Sequence, residues 1–154
     1  MAKFDRGLLQ RRLGQPVRVA DDCFDLPDIL RGFDPTACGL EDGLVFLFED
    51  DGRPNPDFFR WVSGMAGRGK RSLESRRGYA YDVAGWIDFL HDAYQTDYLD
   101  AEFEDLEEYG RELRTASQDP VSGDTWNRKL AAIHDFYLSL ERDRRIEPGD
   151  GPFA

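Results

Sequence analysis

Histidine, cysteine and methionine are scarce in this chain, two of each among 154 residues. Cys23 and Cys38 have fourteen residues between them, no Cys-x-x-Cys spacing and no neighbouring histidine cluster, so reduced structural cysteines are expected rather than a disulfide framework or a zinc site. His91 and His134 lie far apart without evident ligand partners, and neither metal nor cofactor is expected. Long apolar runs are also missing. The longest, Leu44 to Phe48, is five residues, against roughly 20 for a membrane-crossing helix. The start Met-Ala-Lys-Phe-Asp lacks the apolar core of a secretory signal. The expectation is a cytoplasmic protein without a membrane partner. Positive charge is in deficit as well: 20 Lys and Arg face 31 Asp and Glu, a formal charge of −11, whereas a nucleic-acid-binding domain is ordinarily basic.

What is present makes a folded protein. An apolar fraction of 40% with 13% aromatics supports one sizeable core, or one core with a small appendage. The charge is also uneven. Residues 1 to 18 carry five bases against one acid and residues 66 to 78 again five against one, whereas residues 19 to 57 hold eleven acids and two bases and residues 97 to 112 eight acids and one base. Because salt screens exposed charges beyond about 10 Å, local potential governs contact with a phosphate, and the two basic segments can offset the overall acidity there.

Along the chain, Pro16, Pro27 and Pro35 break the first forty residues into short elements, with a brief helix near Leu26 to Gly32. Gly43 to Phe48 reads as a strand stopped by Glu-Asp-Asp-Gly-Arg-Pro. Asn55 can cap a helix with Pro56 at its first position, running through Phe58, Phe59, Trp61, Val62 and Met65. The following Gly64-Met-Ala-Gly-Arg-Gly is a connector, since no strand precedes it and no Lys-Ser or Lys-Thr closes it as a nucleotide loop requires.

Three further helices are expected. Ser75 is a cap for a helix with Tyr79, Val83, Trp86, Ile87 and Leu90 inward and Arg77, Tyr81 and Ala84 on the far side. The next runs from about Ala101 to Arg114 with Phe103, Leu106, Gly110 and Leu113 inward and an acidic outer face. In the last, Asp124 or Thr125 is the cap, Trp126, Leu130, Ile133, Tyr137 and Leu140 form the core stripe, and Arg128, Ala132 and Asp135 lie opposite. Asn127, Arg128 and Lys129 then stand at the positive end of the helix dipole, where an anion is favoured. These lengths and spacings describe a small helical bundle.

Two stretches carry a specific resemblance. Ser72-Leu-Glu-Ser-Arg-Arg-Gly-Tyr-Ala-Tyr-Asp-Val-Ala-Gly-Trp-Ile-Asp-Phe-Leu is similar to the first helix of the core-binding, SAM-like domain of tyrosine recombinases (phage integrases), with Ser75 at the Thr and Tyr79 at the Tyr of the family's Ser-x-x-Thr-x-x-x-Tyr pattern. Thr125-Trp-Asn-Arg-Lys-Leu-Ala-Ala-Ile-His-Asp-Phe-Tyr resembles the family's Thr-x-Asn-Arg-x-Leu-Ser-Ala-Leu-Arg-x-Phe-Tyr. Ile146 to Pro152 resembles its Ile-x-x-Asn-Pro exit toward a catalytic domain, and the strand with its Asp-Gly-Arg-Pro turn resembles the N-terminal extension of some bacterial integrases. The likeness spans residues 43 to 154. The chain departs from the pattern at His134, where the family often has Arg, and at Asp124, an acid beside the expected phosphate-facing cap.

The resemblance implies a mainly α fold: an orthogonal SAM-like bundle of about four helices at residues 67–146, an N-terminal extension with a strand or hairpin at 1–66, and an exit linker at 147–154. It implies double-stranded DNA, the core recombination site, as partner, clamped in a C shape with a catalytic domain, and other recombinase protomers beside it. The expected contacts are Lys70, Arg71, Ser75, Arg76, Arg77 and Tyr81 around the first helix and Thr125, Asn127, Arg128 and Lys129 around the last. Arg76 also lies close enough to the core stripe to cover it with its aliphatic stem. The family's Arg, Lys, His and nucleophilic Tyr constellation finds no counterpart here, and no paired acid and base, metal or nucleophile arrangement is evident. No catalytic residue is therefore expected. Two other readings stay open: an acidic helical module that binds a basic protein, and a stand-alone regulatory DNA-binding protein.

Overall fold

In the computed structural model the described residues are Leu47, 55–68, 72–116 and 118–153. They form four α-helices, α1 (Pro56–Arg68), α2 (Leu73–Phe89), α3 (Phe103–Arg111) and α4 (Gly123–Arg142), and no strand occurs among them. The expected strand at 43–48, apart from Leu47, and the expected helix near 26–32 lie outside the described residues, as does the basic segment 1–18. Compact units divide between Ala84 and Gly85, inside α2.

In the N-terminal unit α1 starts as its residues dictate. The Asn55 side chain accepts from the Phe58 N–H at 2.9 Å, and its own N–H donates to the Leu47 carbonyl at 2.7 Å. Pro56 needs no backbone partner at the first position. Phe58, Trp61, Val62 and Met65 are buried, with the Phe58 and Trp61 rings edge to face at 5.5 Å. Phe59 is half-buried, because one residue turns the helix by about 100° away from Phe58.

The start of α2 is capped by Ser72, not Ser75. The Ser72 hydroxyl accepts from the Ser75 N–H at 3.2 Å and the two hydroxyls meet at 3.1 Å. Ala80, Asp82, Val83 and Ala84 are buried along this half of the helix. Ala84, assigned to the far side, is fully enclosed, whereas Arg77 and Tyr81, assigned there with it, are half-buried, as is Tyr79 of the expected core stripe.

In the C-terminal unit α2 widens into a π-turn, Leu90–Tyr94, and stops at Gln95 in the left-handed conformation. A single 3₁₀ turn, Tyr98–Asp100, is capped by Asp97, whose carboxylate accepts from the Leu99 N–H at 2.8 Å. The Glu102 N–H donates to the Asp105 carboxylate at 2.8 Å at the head of α3. Phe103, expected in the core, is 52% exposed. Leu106, Tyr109 and Gly110 turn inward instead, and Tyr109, absent from the expected stripe, is central to the packing. Its ring lies 5.4 Å from Trp86, 4.8 Å from Phe89 and 5.8 Å from Trp126.

Helix α4 buries Trp126, Ala132, Ile133, Phe136, Tyr137 and Leu140. Ala132, expected on the outer face, is therefore inside. Phe136 at i+4 from Ala132 widens the stripe beyond the narrow one read from spacing. The tail beyond α4 folds back on it. Gly149 and Gly151 have φ of 92° and 93°, conformations open to glycine. Pro152 is buried, and the Phe153 ring lies 4.9 Å from His134 and 6.0 Å from Tyr137.

Candidate nucleic-acid interface

Two helix starts carry the residues singled out by the sequence, and both are built alike. At α2 the Ser72 hydroxyl holds the N–H and hydroxyl of Ser75. At α4 the Ser122 hydroxyl accepts from the Thr125 N–H at 3.1 Å and meets the Thr125 hydroxyl at 3.0 Å. The cap of α4 is thus Ser122 rather than Asp124 or Thr125, which fall inside the first turn. Each start satisfies one free N–H internally and shows polar side chains at part of its first turn, Glu74 and Ser75 on α2 and Asp124 and Thr125 on α4, while Arg76 and Trp126 are buried.

In the N-terminal unit, Ser75 is exposed, Arg77 and Tyr81 are half-buried and Arg76 is buried. The Arg76 Nε donates to the Ser72 carbonyl at 3.4 Å, so its head group folds back on the first turn while its stem is covered, as the helical angle suggested. The Arg77 Nε is buried without a hydrogen-bond partner among the described residues. Lys70 and Arg71 lie outside the described residues.

In the C-terminal unit, Asn127 and Arg128 are exposed and Thr125 and Lys129 half-buried. Along this stretch of α4 Arg128 and Lys129, at i+3 and i+4 from Thr125, lie near its face, and Asn127 is turned away from it. Trp126, between Thr125 and Asn127, turns into the core and presses on Gly110, where a built Cβ would come within 2.6 Å of its ring.

Arg114 was missed by sequence reasoning, which assigned it to an acidic helix. It lies in the π-turn Glu112–Ala116 that continues α3. Its Nε donates to the Gly110 carbonyl at 3.0 Å, and its guanidinium sits 5.8 Å over the Trp126 ring. The only sequence signal was a base four residues after a glycine at the end of an acidic run. Among the nearby acids Glu102, Glu104, Glu107 and Glu112 are exposed, and Arg111 pairs with Glu108.

Among the described residues no three His, Cys, Asp or Glu side chains gather as metal ligands, and no helix is long and apolar enough to cross a membrane. Tyr137 is buried, and burial raises its hydroxyl pKa well above the ordinary tyrosine value, against the lowering effect of the Trp86 hydrogen bond.

No match to this chain is found among curated proteins or among solved structures. The family model described as phage integrase, N-terminal SAM-like domain, matches residues 59–144. That span takes in most of α1 and all of α2, α3 and α4, with both capped starts and the Trp126–Gly110 contact. With more than half its length matched, this helical chain belongs to the phage integrase N-terminal SAM-like domain family.

Proposed function

We propose that this chain is the core-binding domain of a site-specific tyrosine recombinase, which grips one half of a core recombination site while a separate catalytic domain cuts and rejoins the strand. The family match over residues 59–144 carries this reading and supports a recombinase-related DNA-binding role in general. In this proposal residues 67–146 are the DNA-binding bundle, residues 1–66 an extension, and residues 147–154 the path to the catalytic domain. The partners are duplex DNA and other protomers of the same recombinase, in the cytoplasm.

Ser75, Arg77 and Tyr81 on α2 and Thr125, Asn127, Arg128 and Lys129 on α4 are the proposed contacts, with Lys70 and Arg71 ahead of α2. Hydroxyls and cations of this kind fix register on the phosphate backbone, whereas base-edge contacts give sequence choice. Asn127 is the one suited to a base edge. Arg76, buried and turned onto Ser72, serves the interface by holding the first turn of α2. The net charge of −11 opposes binding at long range, but counterion release at each local phosphate contact drives it.

The test is titration of a labelled DNA duplex with the chain and with its Arg77→Glu and Arg128→Glu variants. Weaker binding, with unchanged melting in Arg128→Glu and with Arg77→Glu compared at temperatures below its own melting because its Nε is buried, and a salt dependence shallower by about one unit per substituted cation, is the expected result. Unchanged binding would overturn the reading and favour the second one, an acidic module for a basic protein, which the exposed Glu102, Glu104, Glu107 and Glu112 support.

A further inference from the structure

We infer that Arg114 is a further phosphate-contacting residue of this interface, held in place by Trp126 and Gly110. The inference rests on the DNA-binding reading and adds to it a residue from outside the two helix starts.

Arg114 is exposed, yet it is not loose. Its Nε is committed to the Gly110 carbonyl at 3.0 Å, and the guanidinium carbon lies 5.8 Å from the Trp126 ring centroid, within the range at which the ring face attracts a cation. Arg111, one turn earlier, has its charge met by Glu108. Arg114 pairs with no carboxylate among the described residues. The Nε bond and the ring contact restrict the guanidinium without using a carboxylate, and a restrained fork of this kind suits a phosphate diester.

The location follows from Trp126. It belongs to the first turn of α4, so a guanidinium held over its ring lies against the N-terminal end of that helix. Gly110 makes the stack possible, because any Cβ there would strike the Trp126 ring at 2.6 Å. The π-turn at Glu112–Ala116 is the kind of local widening that recurs at functional sites.

The experiment measures anisotropy of a labelled DNA duplex across a range of salt concentrations for the unaltered chain, Arg114→Gln and Arg114→Lys, with thermal melting of each. Arg114→Gln is expected to weaken binding about three- to ten-fold and to lower the salt slope by about one unit, with both variants still folded at the temperature of the titration. Arg114→Lys keeps the charge and the slope but gives up part of the affinity, because a flexible ammonium replaces the stacked fork. If the unaltered chain binds and Arg114→Gln binds with the same affinity and slope, the inference is overturned. Equal weakening in both variants with an unchanged slope overturns it too, since a purely structural role predicts that pattern. If the unaltered chain binds no duplex, the DNA-binding reading itself fails and Arg114 falls with it.

Discussion

Trp86 and Tyr137, 51 positions apart in the chain, meet in a buried hydrogen bond: the indole N–H donates to the Tyr137 hydroxyl at 3.1 Å. That hydroxyl in turn donates to the Tyr98 carbonyl at 2.7 Å. One oxygen thereby satisfies a donor on α2 and an acceptor on the 3₁₀ turn, tying three elements of the C-terminal unit together.

Removing the hydroxyl leaves both partners buried and unpaired. Tyr137→Phe is expected to cost about 1–3 kcal/mol for each orphaned group, read as a lower urea midpoint with an unchanged slope. A cost under about 0.5 kcal/mol would mean that water replaces the hydroxyl.

The same group sets an alkaline limit. Burial raises the Tyr137 pKa above the ordinary 10.0. A hydroxyl whose folded pKa is raised contributes its full stability below the unfolded value and loses it as pH climbs past about 10, where the unfolded chain ionises first. Stability should therefore fall more steeply above pH 10 in the unaltered chain than in Tyr137→Phe, by up to about 1.4 kcal/mol per pH unit. Parallel alkaline limbs would show that Tyr137 ionises freely in the fold.

Two glycines in helices should respond oppositely to alanine. At Gly110 a Cβ meets Trp126 at 2.6 Å, and overpacking of that kind costs about 1–3 kcal/mol. At Gly78 nothing lies within 4 Å, so Gly78→Ala should stabilise by about 0.5–1 kcal/mol by restricting the unfolded chain. Thermal melting of the two variants decides, and equal shifts would refute the close approach.

The cap of α4 can be located by substitution. Ser122→Ala should cost about 1 kcal/mol, and Ser122→Gly a few tenths. Asp124→Asn removes only a favourable first-turn charge, about 0.3 kcal/mol in physiological salt. A larger destabilisation at Asp124 than at Ser122 in equilibrium unfolding would return the cap to Asp124.

Helix positions were legible in the sequence because the forces that set them are local. Asn55 and Pro56 start α1, and the spacing of Val83, Trp86, Ile87 and Leu90 and of Ile133, Tyr137 and Leu140 marks the faces that are buried. Caps and periodicity act within about four residues, so a single chain reveals them, though not which of two hydroxyls closes the first turn: Ser72 and Ser122 took the places read for Ser75 and for Asp124 or Thr125.

Only the tertiary structure decided what covers each face. Ala84 and Ala132 are enclosed and Phe103 is left in solvent, outcomes that depend on elements distant in sequence. The same holds for the site. Asn127 and Arg128 were legible as polar residues at a helix start, but the seating of Arg114 over Trp126 follows only because Gly110 admits that ring. A contact between residues 110, 114 and 126 leaves no periodic trace, since its energy comes from close packing of shapes that the fold alone brings together.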